Sequence, residues 1–237
     1  MSFKADVLVI MPHPDDAEFG AGGTIAKMTA EGKKVAYVVC TNGDKGTSDR
    51  NMIPSELVKI REEEQRQAAG VLGVSRVVFL GKPDQGLENT PELRKELVRQ
   101  IRTFKPFTVI TTDPYQRYLW WHRDHRQCGE AVMDAIFPYS RDHLAYPDLI
   151  SEGLEPHKVT ELLLSNPQEP NYQVDISQTA ILKLKSISCH KSQGGGRMDE
   201  VISAMSEMGD LGKYTEIYPD AEKYVKTESF HRVDMWW

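Results

Sequence analysis

Apolar and polar positions along this chain alternate between two patterns: short continuous apolar runs, and longer stretches with apolar residues every three or four positions. Asp6-Val7-Leu8-Val9-Ile10-Met11 is unbroken and reads as a strand covered on both faces. Pro12-His13-Pro14-Asp15-Asp16 cannot continue it. A helix is predicted close after, running through Gly23–Met28 to a stop at Gly32. Val35–Thr41 is a second buried strand, followed by a glycine-bearing loop over 42–50. Leu57, Ile60, Glu64, Ala68, Val71 and Leu72 give helical spacing from Pro54 to Leu72, with proline suited to the first turn and Gly73 to the end.

The alternation continues. Arg76–Leu80 reads as a strand, Pro91–Phe104 as a helix with Leu93, Leu97, Val98 and Ile101 on one face, and Phe107–Thr112 as a strand. A helix is predicted over about His125–Ile136, strands over Val159–Leu164 and Tyr172–Ile176, and a helix over about Ser177–His190. Residues 138–158 carry no clear period, and the tail after Gly194 is polar and mixed. Strands alternating with helices mean βαβ units. The expectation is one α/β domain over residues 1–237: a Rossmann-like, mostly parallel sheet flanked by helices, with a less regular C-terminal part.

Charge and cysteine usage narrow the classes. The 237 residues hold 29 basic and 35 acidic side chains, a net charge of −6. Such a surface repels polyphosphate, so nucleic acid is not an expected partner. No stretch approaches the roughly 18 apolar residues that span a bilayer, so no membrane partner is expected. Met1–Asp6 lacks the apolar core and cleavage site of a signal peptide, which points to the cytoplasm. Cys40, Cys128 and Cys189 are few, odd in number and widely spaced, as for thiols in a reducing compartment.

In a doubly wound sheet, ligands bind beyond the C-terminal strand ends. His13, Asp15 and Asp16 follow the first strand. Asn42, Asp44 and Lys45 follow the second; Asp113, Arg117, His122, Asp124 and His125 follow the fourth. His13 and Asp16 are three residues apart on a tight turn, so both can reach one ion, with His125 as third ligand. Two imidazoles and a carboxylate are a common catalytic zinc set. Asp15 is then placed to take a proton from water on the metal. The plainer alternative is that these carboxylates only cap the following helix. Another alternative is a nucleotide-binding module, because Gly20-Ala21-Gly22-Gly23 follows the first strand and Asp44 lies further on. Against it, two carboxylates occupy the turn where a pyrophosphate would lie.

His13-Pro14-Asp15-Asp16-Ala17-Glu18 resembles the signature of the LmbE/PIG-L-like zinc-dependent N-deacetylases. His122-Arg123-Asp124-His125 is similar to that family's HxDH motif. Thr41–Gly46, Arg61–Gly73 and Cys189–Gln193 extend the likeness over most of the chain; Pro12 stands where alanine is usual. The resemblance implies one zinc ion per subunit on His13, Asp16 and His125, with Asp15 as general base. It implies that His122 polarises the carbonyl or stabilises the oxyanion, that Asp124 tunes a histidine, and that His190 lines the site and protonates the leaving amine. Arg61 and Glu64 fall where the family often contacts substrate; a surface ion pair on a helix is the alternative. Asp113 and Trp121 are further candidate substrate contacts. Trp121 belongs to an aromatic group with Tyr115, Tyr118 and Trp120 that could form a wall for sugar; core packing or a subunit interface is the alternative.

The implied reaction is removal of an N-acetyl group from a soluble N-acetylglucosamine conjugate by zinc-bound hydroxide. An amidase of a thiol–sugar conjugate would use the same residues, whereas a purely carbohydrate-binding role needs neither Asp15 nor a metal. Family members of similar length form trimers or dimers of trimers, so a homo-oligomer is expected.

Overall fold

A computed structural model describes residues 3–117, 122–208 and 225–237, and over 205–208 the backbone alone. Strand β1 (Val7–Met11), helix α1 (Asp16–Ala30), β2 (Val35–Thr41), α2 (Pro54–Val71), β3 (Arg76–Lys82), α3 (Pro91–Phe104), β4 (Thr108–Thr112) and α4 (Arg123–Asp134) alternate strictly. A single π-helical turn, Ala135–Tyr139, ends this series. The short α5 (Pro147–Ser151), then β5 (Glu161–Ser165), β6 (Tyr172–Asp175), α6 (Ala180–Ser188), α7 (Arg197–Met208) and β7 (Thr227–Asp234) follow.

The seven strands form one sheet in the order β3-β2-β1-β4-β5-β7-β6. β1 pairs in parallel with β2 and β4, β2 with β3, and β4 with β5; only β7 runs against its neighbours, β5 and β6. The fold is therefore the mostly parallel α/β sheet that the alternation implies. The period-2 pleat sends side chains of one strand into two cores. Val7, Val9 and Met11 pack with Ala17, Ala21 and Ile25 of α1. Leu8 and Ile10 pack with Leu97 and Ile101 of α3 and Ala131 and Val132 of α4. Burial on both faces is why β1 reads as a continuous apolar run. None of the described helices is long and apolar enough to cross a membrane.

Strand order reverses at β1: the chain goes first to β2 and β3 on one side, then crosses to β4 on the other. The turn after β1 and the segment after β4 thus face each other over the crevice where α/β sheets bind ligands.

Within the C-terminal part, the described residues include two elements that the polar pattern after Gly194 does not announce. These are α7 and β7, and β7 inserts between β5 and β6. The strand hid because its inward positions include Glu228, which is 4% exposed. Glu228 accepts from the Gly23 and Thr24 amides of α1 at 2.9 and 2.7 Å, and from Lys183 Nζ at 2.7 Å. Gly23 is required there, because a Cβ would lie 2.7 Å from Ile176.

Removing one partner of such a pair strands a buried charge. Glu228→Ala is expected to cost about 3–5 kcal/mol in denaturant unfolding, while Lys183→Met with Glu228→Met together recovers most of that loss.

Candidate active site

Pro12 and Pro14 end β1 and fix the turn that follows, so His13, Asp15 and Asp16 leave the sheet in a set order. Asp15 takes the left-handed conformation, with φ at 90°. A non-glycine residue held there marks a constrained position. Two groups from the buried face of α2 hold it. Gln65 Oε1 accepts the Asp15 N–H at 2.9 Å, and Arg61 Nη2 donates to the Pro14 carbonyl at 2.8 Å. Arg61 also reaches the Gly43 carbonyl at 3.0 Å and the Asp15 carboxylate at 3.4 Å. The Asp15 side chain makes no cap to α1, so the capping alternative fails for it.

Asp16 opens α1. Its Oδ2 accepts the His13 N–H at 2.9 Å and lies 3.1 Å from His13 Nδ1; its Oδ1 lies 3.2 Å from His125 Nε2. Ligand atoms of His13, Asp16 and His125 all lie within 4.8 Å of one another. Behind His13, Nε2 lies 3.3 Å from Asp124 Oδ2 and 3.1 Å from Asp84 Oδ1. The Asp84 contact lacks hydrogen-bond alignment. The wholly buried Asp124 also accepts from the Gln85 and Leu87 amides at 2.7 and 3.2 Å.

His13, Asp84 and His122 form a second set of close donors. Both sets hold two imidazoles and one carboxylate; the first is the one that joins the turn after β1 to His125 of α4. A ligating imidazole ordinarily gives its other nitrogen to a carboxylate, and Asp124 stands behind Nε2 in that position. Two imidazoles and a carboxylate suit a zinc-like divalent ion.

The electrostatics follow from packing carboxylates together. Burial opposes charge on His13, but Asp124, Asp16 and Asp84 push its pKa up to about 12. Burial and the Asp16 charge raise Asp15 to about 7, with Arg61 pulling the other way. Asp84 falls to about 2, because His13 and Arg61 outweigh its burial. Burial and the nearby His13 charge lower His122. His122 Nδ1 accepts the Asp124 N–H at 3.2 Å, so the neutral ring carries its proton on Nε2.

The remaining candidates are spread out. His190, 1% exposed, lies with Nε2 3.2 Å from Glu18 on α1. Glu64 accepts from Ser192 N and Oγ at 2.8 and 2.6 Å, tying α2 to the turn after His190. The hydrogen bonds of Asp113 run away from the cluster, to the Tyr115 and Gln168 amides, beside a cavity of about 300 Å³. Trp121, with Tyr118 and Trp120, lies outside the described residues. Gly20 and Gly23 sit within α1, packed against Ser165 and Ile176, which is a helix-packing role and not a phosphate cradle.

Sequence reasoning passed over Asp84, Gln65 and the role of Glu18. Asp84 stands just past β3, at the same sheet edge as the other candidates. Gln65 lies one helical turn after Arg61, on the same buried face.

The sheet and the cluster at its switch point define an α/β protein with a candidate metal centre. The chain belongs to the family described as PIG-L: GlcNAc-PI de-N-acetylase, whose model matches residues 8–136, from β1 through α4. Diacetylchitobiose deacetylase of Thermococcus kodakarensis is 39% identical over 187 residues, covering 79% of this chain and 69% of that one. A probable N-acetyl-alpha-D-glucosaminyl L-malate deacetylase 2 of Bacillus anthracis is 28% identical over 210 residues, 85% of this chain and 87% of that one. Among solved structures, N,N'-diacetylchitobiose deacetylase from Pyrococcus horikoshii, in complex with its inhibitor MPG, superposes with a TM-score of 0.82. It is 32% identical and covers 97% of this chain and 84% of its own.

Metal ligands must be deprotonated, and here His13 holds a proton against three carboxylates. Loading a divalent ion into ion-free protein is therefore expected to release at least about one proton per ion, with affinity rising as pH rises. Titration calorimetry in buffers of different ionisation heat reads both.

Proposed function

We propose that this chain is a zinc-dependent hydrolase that removes the N-acetyl group from a small, soluble N-acetylglucosamine conjugate. The observation that carries this reading is the His13/Asp16/His125 donor set with the Asp15 carboxylate beside it. Family membership and the names of the relatives support the substrate class. The proposal takes residues 1–237 as one domain acting in the cytoplasm.

His13, Asp16 and His125 would hold the ion, which when bound supplies Lewis acidity toward the amide carbonyl and toward water. Asp15 accepts a proton from the attacking water. In the ion-free protein its carboxyl is pushed up to about 7, close to the working pH at which a general base is most effective. Arg61 keeps that carboxylate and the turn beneath it in place, a contact that supports a role at the base beside any contact with substrate. His122, with its proton on Nε2, is a donor for negative charge developing on the carbonyl oxygen. Asp124 keeps the His13 ring oriented. His190 gives a proton to the departing amine nitrogen. Glu64 steadies the turn that carries His190.

The first experiment is acetate release from a panel of N-acetylglucosamine conjugates, by metal-loaded and chelator-stripped enzyme side by side. Metal-dependent release is expected; bound metal with no release from any conjugate would shift the reading to amidase action on a larger acyl group. Asp15→Asn is expected to retain the ion and lose nearly all turnover, and His125→Ala to lower metal content; elemental analysis beside the acetate assay separates these roles. His122→Ala is expected to cut kcat by about 10²-fold.

We also propose that the protein is a homo-oligomer, a trimer or a dimer of trimers. Phe107, Tyr115 and Trp236 are 65%, 65% and 87% exposed, and contacts between subunits would cover such surface. Light scattering in solution is expected to give a mass of three or six chains; a monomer would remove the proposal.

A further inference from the structure

Glu18 is wholly buried on α1, two residues after Asp16. A buried carboxylate persists only where donors surround it. Gln65 Nε2 donates to both Glu18 oxygens, at 3.0 and 3.1 Å, and His190 Nε2 lies 3.2 Å from Oε2. On the other side of the same amide, Gln65 Oε1 accepts the Asp15 N–H at 2.9 Å. The amide has one workable orientation, because a backbone N–H must meet its oxygen and a carboxylate its nitrogen. Likewise the imidazole nitrogen facing Glu18 must carry hydrogen. That leaves His190 Nδ1 as the second ring atom, and it is buried without a hydrogen-bond partner. An unpaired buried nitrogen costs free energy, and such atoms survive where function uses them.

We propose that Glu18 and Gln65 are positioning residues: Glu18 fixes the ring orientation of His190 with Nε2–H inward and Nδ1 free, and Gln65 ties that ring to the backbone of Asp15. One buried amide thus sets both the group that takes a proton and the group that gives one. In the reaction, His190 first takes a proton from solvent at Nδ1, giving an imidazolium whose charge faces Glu18, and Nδ1–H then passes that proton to the amine nitrogen as the carbon–nitrogen bond breaks. The bonding pair stays on nitrogen, and His190 is left neutral with Nε2–H still on Glu18. Glu18 stands to His190 as the third member of a catalytic triad stands to its histidine, by holding tautomer and orientation. This kinetic consequence rests on the deacetylase reading; the tautomer assignment does not.

The test is a cycle of Glu18→Gln, His190→Asn and the double variant, each metal-loaded, with kcat, KM, metal content and 15N NMR of the imidazoles. His190→Asn assigns the His190 signals. Glu18→Gln is expected to cut kcat by about 10²-fold, the scale of one proton-transfer group, with KM and metal content within twofold. On the His190→Asn background it is expected to cost less than about twofold, because its effect passes through that ring. The substrate-free wild type is expected to show hydrogen on His190 Nε2, and Glu18→Gln to displace the His190 signals. Equal losses on both backgrounds, lost metal, or a wild-type ring bare at Nε2 would each overturn the proposal. If Glu18→Gln does not fold, Glu18→Asp, whose shorter side chain withdraws the carboxylate from His190 Nε2, enters the same cycle with the same expectations. If the wild type turns over no conjugate, the deacetylase reading fails, while the NMR result still decides the tautomer.

Discussion

The constraint on which this structure depends is the crowding of buried carboxylates around one imidazole. Asp16, Asp84 and Asp124 all lie within 3.3 Å of a His13 nitrogen, and each carries a cost if left uncompensated. The chain balances them with His13, His125, Arg61 and the backbone amides of Gln85 and Leu87. A divalent cation among the same donors relieves the repulsion that a proton on His13 otherwise relieves. Metal affinity, proton release and local stability are therefore one electrostatic property seen three ways.

That crowding is possible only because the fold brings three loops to one place. β1 is buried on both faces, so its end is rigid, and the prolines beyond it leave little freedom. The reversal of strand order at β1 sets the turn carrying His13, Asp15 and Asp16 opposite the start of α4, which carries His122, Asp124 and His125. Asp84 arrives from β3, two strands away. The helix behind the site contributes a second layer: Arg61, Glu64 and Gln65 of α2 hold a carbonyl, a loop and a backbone amide around the carboxylate cluster. Chemistry is assigned to the turn after β1, but its geometry is enforced from α2.

The same logic of buried charge met by converging donors recurs away from the site. Glu228 and Lys183 form a closed pair against mid-helix amides of α1, and through it β7 is latched to the helix that begins with Asp16. The C-terminal strand thereby supports the active-site helix from behind, though it adds no candidate ligand.

The sequence by itself determined the α/β class, the order of the elements through α4, and the gathering of His13, Asp16 and His125 at one edge of the sheet. These rest on local signals: apolar runs of strand length, helical periodicity, and His13, Asp16 and His125 at strand-end positions. It left β7 unread, because a strand whose inward residues include glutamate shows no apolar alternation until its partners Lys183, Gly23 and Thr24 are known. It also left open what Arg61, Glu64, Glu18, Gln65 and Asp84 do. A buried arginine and a surface arginine have the same spacing on a helix, and only packing shows that Arg61 grips Pro14 and Asp15. Hydrogen bonds between Asp15, Gln65, Glu18 and His190 join residues up to 172 positions apart. Such pairings carry no local pattern, so they are decided when the helices and the sheet close around them and every buried polar atom must find its partner.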